Sequence, residues 1–279
     1  MNYKLVTAAF AFALSTIIFS SCKKKDDTTP DYTTTSEVNS VRDDLDDALK
    51  VSEDALSSNG QFRTGGSLSS CATVTLDGPN KMITLDFGSI GCLGNDGHFR
   101  QGKLIVTYTD LYRTTGAIIT IKTDNYIVNS KKIDGMRVVT NAGLNTAGNI
   151  VYTVVDSDLL GTGYSKITQT DGSISTWKAS SIREWSAGSS TPLTVVDDEH
   201  IISGIADGVT SKGVVYSLTA TAIKVKASCW ATLIFVPVSG SFKLTTADGS
   251  RSIDYGDGTC DRNATYTHTN GKTYAVTLY

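Results

Sequence analysis

The 279-residue sequence has few of the residues from which metal sites and nucleophile sites are built. Its three histidines, His98, His200 and His268, are far apart in the chain, and it has no Cys-x-x-Cys pair. This argues against a zinc site, which needs several closely spaced Cys or His ligands. The sequence also lacks the Gly-x-Ser-x-Gly motif that carries a hydrolase nucleophile. We therefore expect no metal ion and no cofactor, and no catalytic residue can be named.

Excess positive charge and long apolar runs are also missing. The 25 basic residues are outnumbered by 28 acidic ones, so no basic patch for a nucleic-acid partner is expected. Only residues 5–19 form a sustained apolar run. This run is shorter than the roughly 20 residues that a membrane-spanning helix needs.

The N-terminal segment has the arrangement of a secretory signal. Lys4 gives a short positive region, the apolar run follows, and two serines precede Cys22. The segment resembles a bacterial lipoprotein signal peptide over residues 1–21, with Phe19 in place of the usual leucine. The resemblance implies cleavage before Cys22 and acylation of its thiol, which would anchor the chain in a lipid bilayer. A plain secretory signal with an incidental cysteine is the alternative.

Residues 22–34 are polar and rich in threonine, and we interpret them as the lipidated cysteine followed by a disordered tether. Within them, Lys25, Asp26 and Asp27 resemble the export signal of surface lipoproteins in the Bacteroidota. That resemblance implies a location at the outer membrane, on the cell surface. A lipoprotein that faces the periplasm is the alternative.

The remaining chain has the composition of an all-β protein. It is rich in Val, Ile, Thr and Tyr and contains many Asp-Gly and Asn-Gly pairs, which are typical of strands joined by tight turns. We predict an antiparallel meander over residues 68–279, either curled or packed as a sandwich. Hairpin turns are predicted at Asp77-Gly78, Asp171-Gly172, Asp207-Gly208 and Asn270-Gly271.

One amphipathic helix is predicted before the strands, over residues 35–60. Val38, Val41, Leu45 and Leu49 recur at helical spacing and define its apolar face. Four aspartates at positions 43, 44, 46 and 47 are expected to lie largely on the opposite, solvated side. A cation site on these acids is the alternative.

A weak internal repeat divides the β-rich region into two possible halves, residues 68–156 and 157–279. Asp86-Phe87-Gly88 lies shortly before Cys92, and Asp254-Tyr255-Gly256 lies at the same spacing before Cys260. Duplication would explain this pattern, and shared turn chemistry is the alternative.

Four cysteines besides Cys22 suggest two disulfides in an exported chain. We favour Cys71–Cys92 and Cys229–Cys260, because each pair brackets one hairpin-like segment. Four cysteines allow three pairings, and free buried thiols remain an alternative.

Two stretches carry a family resemblance: "DFGSIGCLGNDGHFRQGKLIVTYTD" together with "TDNYIV", and "DYGDGTCDRNATYTHTNGKTYAVTL". They resemble a group of uncharacterised lipoproteins of the Bacteroidota. The resemblance implies lipoprotein status and a β-rich fold, and it implies no chemistry.

Aromatic side chains give the best indication of a binding site. Trp177, Arg183 and Trp185 would lie on one face of a single strand. On an exposed face they could stack on sugar rings; the alternative is that the tryptophans cap a core. Calcium could bind Asp254, Asp257 and Asp261, or Asp96, but ordinary Asp-Gly turns explain these acids better.

The sequence therefore favours a non-catalytic binding or structural β-domain on an outer-membrane lipoprotein. Its partner would be a glycan or an outer-membrane protein. An extracellular hydrolase acting on a polymer is the alternative, and it would require two converging acids or a Ser-His pair in a cleft.

Overall fold

The computed structural model describes residues 32–57, 72–94, 96–191, 194–234 and 236–278. The predicted signal peptide, Cys22, the export signal at Lys25, Asp26 and Asp27, and Cys71 lie outside the described residues. The chain from Tyr32 to Tyr279 forms one compact unit.

The fold is all-β with one N-terminal helix, as the composition predicted. Helix α1 spans Thr33–Ser57, close to the predicted range, so Thr33 and Thr34 belong to the helix rather than to the tether. A short 3₁₀ helix spans Ala227–Thr232. The first eight strands are β1 Thr73–Asp77, β2 Met82–Asp86, β3 Cys92–Leu93, β4 Phe99–Tyr108, β5 Ile118–Val128, β6 Lys131–Asp134, β7 Met136–Leu144 and β8 Ile150–Ser157. The other eight are β9 Ser165–Thr168, β10 Ile174–Ala187, β11 Glu199–Val209, β12 Val215–Lys226, β13 Ser239–Thr246, β14 Gly249–Asp257, β15 Asn263–Thr267 and β16 Thr273–Thr277.

All sixteen strands belong to one antiparallel sheet. The main path runs in the order β1-β2-β4-β5-β6-β9-β10-β11-β12-β13-β14-β15-β16. Strand β3 pairs with β4, while β7 and β8 pair with each other and connect β5 to β10. From β10 to β16 the sheet is a plain meander, which is the predicted topology. Strand β8 pairs with β10 and β6 pairs with β9, so ladder hydrogen bonds join the two predicted halves.

The sheet curves around α1. Near one end of the strand order, Asp47 of α1 bonds to Arg100 on β4. Near the other end, Tyr32, just before α1, packs its ring edge-on against Tyr266 on β15, with centroids 4.7 Å apart. Strands so far apart in one sheet can reach a single helix only if the sheet bends around it.

This wrapping buries much more of α1 than one apolar face. Val38, Val41 and Leu49 are buried as predicted, but Asp44 and Asp47 are each only 3 % exposed. The prediction that these acids lie on a solvated face is therefore wrong for these two. Cationic side chains on the neighbouring strands pair with both carboxylates, and this offsets the free-energy cost of burying them.

Three of the four predicted hairpin turns are present, at Asp77-Gly78, Asp171-Gly172 and Asn270-Gly271. Asp207-Gly208 instead lies inside β11, and the chain turns later, around Gly213. A Cβ on Gly208 would lie 2.0 Å from the Thr176 carbonyl oxygen. Gly208 is thus needed for close strand packing rather than for a turn.

The internal repeat has the same local geometry at both sites. The backbone N–H of Gly88 donates to Asp86 Oδ1, and that of Gly256 donates to Asp254 Oδ1, each at 2.9 Å. Both glycines have positive φ, and both central aromatics, Phe87 and Tyr255, are buried. Either duplication or shared turn chemistry accounts for this match.

Candidate functional site

A buried ionic cluster fixes the middle of α1 to β4 and β5. Arg100 Nε donates to Asp47 Oδ2 at 2.8 Å, and Tyr126 Oη donates to the same oxygen at 2.8 Å. Arg100 also donates to Asp96 Oδ2 at 2.7 Å. Asp47 Oδ1 lies 2.9 Å from Nδ1 of His98. Burial alone would raise the pKa of the Asp47 carboxyl, but the hydrogen bonds from His98, Arg100 and Tyr126 hold it at about 2.

The same cluster contains the donor set that most resembles a metal site. Ligand atoms of Asp47, Asp96 and His98 lie within 4.8 Å of one another. However, the guanidinium of Arg100 bonds to both carboxylates and supplies the positive charge that a cation would bring. We therefore interpret the cluster as a clamp between the helix and the sheet.

A second buried pair lies further along the sheet. Arg137 on β7 donates to Asp156 on β8 through Nε at 2.5 Å and through Nη2 at 2.8 Å, and it reaches Asp46 of α1 at 2.9 Å. Trp177 Nε1 also donates to Asp156, at 3.0 Å. Each carboxylate oxygen of Asp156 therefore accepts at least one hydrogen bond from a buried side chain.

The C-terminal part of α1 meets a third polar group. Arg183 on β10 donates from Nη1 to Glu53 Oε1 at 2.6 Å, and Tyr112 donates to the same oxygen. Burial and the nearby Arg183 hold the pKa of His200, on β11, well below its usual value. The imidazole of His200 is consequently neutral beside this pair.

A cavity of about 1150 Å³ separates α1 from the later part of the sheet. The helix contributes polar side chains to it, among them Thr35, Asn39 and Glu53. The sheet contributes Arg137 and Arg183 on one side and a set of mostly apolar residues from later strands. These apolar residues are Ile202, Val225, Ile253, Tyr255, Tyr266, Val276 and Leu278.

Several buried polar atoms that belong to cavity-lining residues have no hydrogen-bond partner within the described part of the chain. They include Thr35 Oγ1, Asn39 Oδ1 and Arg183 Nε. Thr35 is only 4 % exposed. A buried polar atom without a partner costs about 1–3 kcal/mol, and each of these atoms is shielded from solvent by the packing around it.

The predicted aromatic row lies on one face of β10, but this face is the inner one. Trp177 and Trp185 are only 3 % and 5 % exposed, so neither ring can stack on a polymer at the surface. The prediction that these rings lie on an exposed face is therefore wrong. Each indole is instead bound by a buried acid, since Trp185 Nε1 donates to Asp198 at 3.1 Å. Arg183 lines the cavity.

The predicted disulfide between Cys229 and Cys260 is present, with Cα atoms 5.3 Å apart. Cys92 is buried, but Cys71 lies outside the described residues, so the Cys71–Cys92 pairing stays a prediction. The Asp257 and Asp261 side chains accept backbone N–H groups two residues ahead, at 3.0 and 2.9 Å, as the turn interpretation predicts.

No known family matches this sequence, and no curated protein or solved structure shows significant similarity to it. The resemblance to lipoproteins of the Bacteroidota therefore stays a prediction. Within the described ranges, no helix combines the length and apolar character required to cross a bilayer.

The cavity is the feature that sequence reasoning missed. Its walls come from a helix and from strands far from it in the chain, such as β10 and β16, so no local spacing reveals it. One available signal was the excess of polar residues along a helix whose apolar face is clear, including Thr35, Asn39 and Glu53.

Proposed function

We propose that this chain is an outer-membrane lipoprotein, anchored through acylated Cys22, whose β-domain is non-catalytic and binds an amphiphilic small molecule. The proposed location on the cell surface rests on Lys25, Asp26 and Asp27, and the anchor rests on the signal-like segment before Cys22. The binding role rests on the cavity between α1 and the sheet.

The observation that carries the binding role is the combination of the cavity's volume and its mixed polar and apolar lining. Binding pockets for small molecules commonly measure about 300–1,000 Å³ and combine apolar walls with a few polar groups. This cavity reaches about 1150 Å³ and combines the apolar side chains of Ile202, Val225 and Ile253 with polar side chains of α1. A glycan partner that stacks on Trp177 and Trp185 is disfavoured, because both rings are buried.

Two acids that line the cavity are already ion-paired, which favours binding over the hydrolase alternative. Asp46 is paired with Arg137 at 2.9 Å, and Glu53 is paired with Arg183 at 2.6 Å. These pairs connect the helix to the sheet, which is a structural use of both carboxylates.

A fluorescent probe that brightens in apolar surroundings tests this proposal. We would use residues 23–279, because the compact unit from Tyr32 onward contains all the described helices and strands. The variant Ile202→Trp places a large side chain in the cavity, and Ile205→Trp places the same side chain on the outer face of the same strand, where Ile205 is 64 % exposed.

We expect saturable probe binding that Ile202→Trp abolishes and Ile205→Trp leaves intact, with both variants unfolding cooperatively. Equal probe binding by the two variants would show that the cavity is not the site. That result would refute the proposed binding role, and the proposal of a lipid anchor would be unaffected.

A further inference from the structure

The cationic side chains that line the cavity differ in whether a carboxylate is bound to them. These side chains are Arg42, Lys50, Arg137, Arg183 and Arg262. The first four each form an ion pair with an acid. Arg262 forms no ion pair within the part of the chain that the structure describes, and its Nη2 donates to the carbonyl oxygen of Leu233 at 2.7 Å. Because Arg262 is only half-buried, a ligand can reach the rest of its guanidinium.

The acids closest to Arg262 in the chain are used in their own turns. Asp261 accepts the backbone N–H of Asn263 at 2.9 Å and the side-chain Nδ2 of the same residue at 3.0 Å. Asp257 accepts the backbone N–H and the hydroxyl of Thr259, at 3.0 and 2.7 Å. Neither carboxylate forms an ion pair with Arg262, so its positive charge is available to a ligand in the cavity.

The backbone around Arg262 is held in place before any ligand arrives. Cys260 is joined to Cys229 by the disulfide. The carbonyl oxygen of Arg262 accepts the backbone N–H of Leu278 at 2.8 Å. A charged group that is fixed in advance loses less conformational freedom on binding, which favours affinity.

An apolar surface begins beside Arg262. Side chains alternate across a strand, so Arg262 shares one face of the chain with Ala264 and Tyr266 of β15. Ala264 and Tyr266 are 7 % and 1 % exposed, so this face is the inner one. The neighbouring strands β14 and β16 add Ile253 and Val276 to the cavity lining. At about 3.3 Å per residue, the surface extends about 13 Å from Arg262 to Tyr266.

We propose that the cavity takes an amphiphile with an anionic head group, a carboxylate or a phosphate, on a hydrocarbon tail. This inference rests on the proposed binding function and specifies its ligand class. The head group accepts hydrogen bonds from the guanidinium of Arg262, a group that binds carboxylates and phosphates through paired N–H donors. The tail lies along β15, against Ile253 and Val276.

The acidic side chains of α1 do not oppose an anion at this position. Asp43, Asp46 and Glu53 are each paired with an arginine, so their charges are compensated. A cationic head group would instead meet the guanidinium of Arg262 as a like charge, which lowers affinity. The sign of the charge on the head group is therefore the discriminating feature.

The test measures displacement of the fluorescent probe by three compounds of equal chain length, each below its critical micelle concentration. Dodecanoate and dodecyl phosphate carry the two candidate head groups, and dodecyltrimethylammonium carries the opposite charge. Arg262→Gln removes the cation from the lining, and Arg262→Lys keeps the charge but loses the planar fork. Lys243→Gln is the control, because it removes the same charge at an exposed position on β13 that does not line the cavity.

We expect at least one of the two anions to displace the probe at concentrations about tenfold lower than dodecyltrimethylammonium does. Arg262→Gln should weaken displacement by that anion about tenfold, the effect of losing a hydrogen bond to a charged group. Arg262→Lys should weaken it less, and Lys243→Gln should leave it unchanged. Displacement by dodecyltrimethylammonium should not be weakened by Arg262→Gln. The stronger of the two anions identifies the head group.

Displacement by dodecyltrimethylammonium at concentrations equal to or lower than those of both anions would overturn the inference while leaving the cavity as a binding site. Equal effects of Arg262→Gln and Lys243→Gln would also overturn it, because the preference would then come from the overall charge of the chain. Each variant is checked for cooperative unfolding, and Arg262→Lys decides the question if Arg262→Gln does not fold. Failure of the proposed function itself is detected separately, by probe binding that Ile202→Trp leaves intact.

Discussion

The guanidinium of Arg100 on β4 holds the carboxylate of Asp47 on α1, although each side chain is only 1 % exposed to solvent. Removing one member of a buried ion pair leaves an uncompensated charge, which typically costs 3–5 kcal/mol. The contact joins residues 53 positions apart, so it couples helix docking to formation of the sheet.

Arg100→Gln should therefore lower the free energy of unfolding by about 3–5 kcal/mol, measured by chemical denaturation. Replacing both partners by apolar residues, as in Asp47→Leu with Arg100→Met, should cost less than the sum of the two single changes, because neither member of the Asp47–Arg100 pair is left buried without the other. Lys132→Gln is the control, since its pair with Asp134 is exposed on both sides. Strict additivity of the two single changes would argue against the clamp.

The His98 imidazole should make stability depend on pH. Its hydrogen bond to Asp47 raises the pKa of His98 above 6.5 in the folded chain. Folding therefore favours the protonated imidazole of His98. The stability that this adds is fully present below the pKa of His98 in the unfolded chain, and it is lost as pH rises through the pKa of His98 in the folded chain.

We expect the stability difference between the wild type and His98→Gln to be larger at about pH 6 than at about pH 8.5. Denaturation at both pH values measures it. His268→Gln serves as the comparison, because His268 lies on the terminal hairpin and makes no contact with Asp47. A difference that does not vary with pH would exclude coupling between His98 and Asp47.

Trp177 should behave as a core residue rather than as a surface ligand. It is 3 % exposed and donates a hydrogen bond to Asp156, so Trp177→Ala should destabilise the fold by about 3–5 kcal/mol. Ile182→Ala on the same strand should cost much less, since Ile182 is 53 % exposed on the outer face. Thermal unfolding compares the two, and a similar small shift for both would indicate that Trp177 is not part of the core.

The elements of this fold were largely predictable, because they depend on local patterns. Val38, Val41 and Leu45 mark a helix, and the turn pairs Asp171-Gly172 and Asn270-Gly271 mark hairpins. The predicted turn at Asp207-Gly208 is wrong, because the same dipeptide also suits a strand in which Gly208 must pass close to Thr176. That requirement comes from a neighbouring strand, and local sequence does not contain it.

A curled sheet is one of the two arrangements that the sequence predicts, but the sequence does not show which face of the sheet turns inward. The helical pattern predicts Asp44 and Asp47 on the solvated side, the strand pattern leaves both an exposed and a core position open for Trp177 and Trp185, and neither pattern indicates the cavity. Each depends on which face of the sheet turns inward around α1. A strand pattern shows that two faces exist and does not show which of them is enclosed.

The Cys229–Cys260 disulfide should stabilise the C-terminal strands. It spans 31 positions of the chain, and closing a loop of this size is worth about 3–4 kcal/mol through the unfolded state. The double variant Cys229→Ser/Cys260→Ser should lose about that amount in denaturation experiments.

Non-reducing peptide mapping of the wild type should also link Cys71 to Cys92, and a cross-link between Cys71 and Cys229 or Cys260 would contradict the pairing.

The lipid anchor makes a separate prediction about where the chain is found. Cys22→Ala removes the thiol that would be acylated, so the protein should be released from the membrane fraction or should accumulate as an uncleaved precursor. Replacing Lys25, Asp26 and Asp27 by alanine should leave the protein in the membrane fraction but protect it from protease added to whole cells. The two variants separate anchoring from surface export, because only the first removes the attachment point. Unchanged fractionation and processing of Cys22→Ala would refute acylation, and continued protease sensitivity of the triple variant would place the export information elsewhere in the chain.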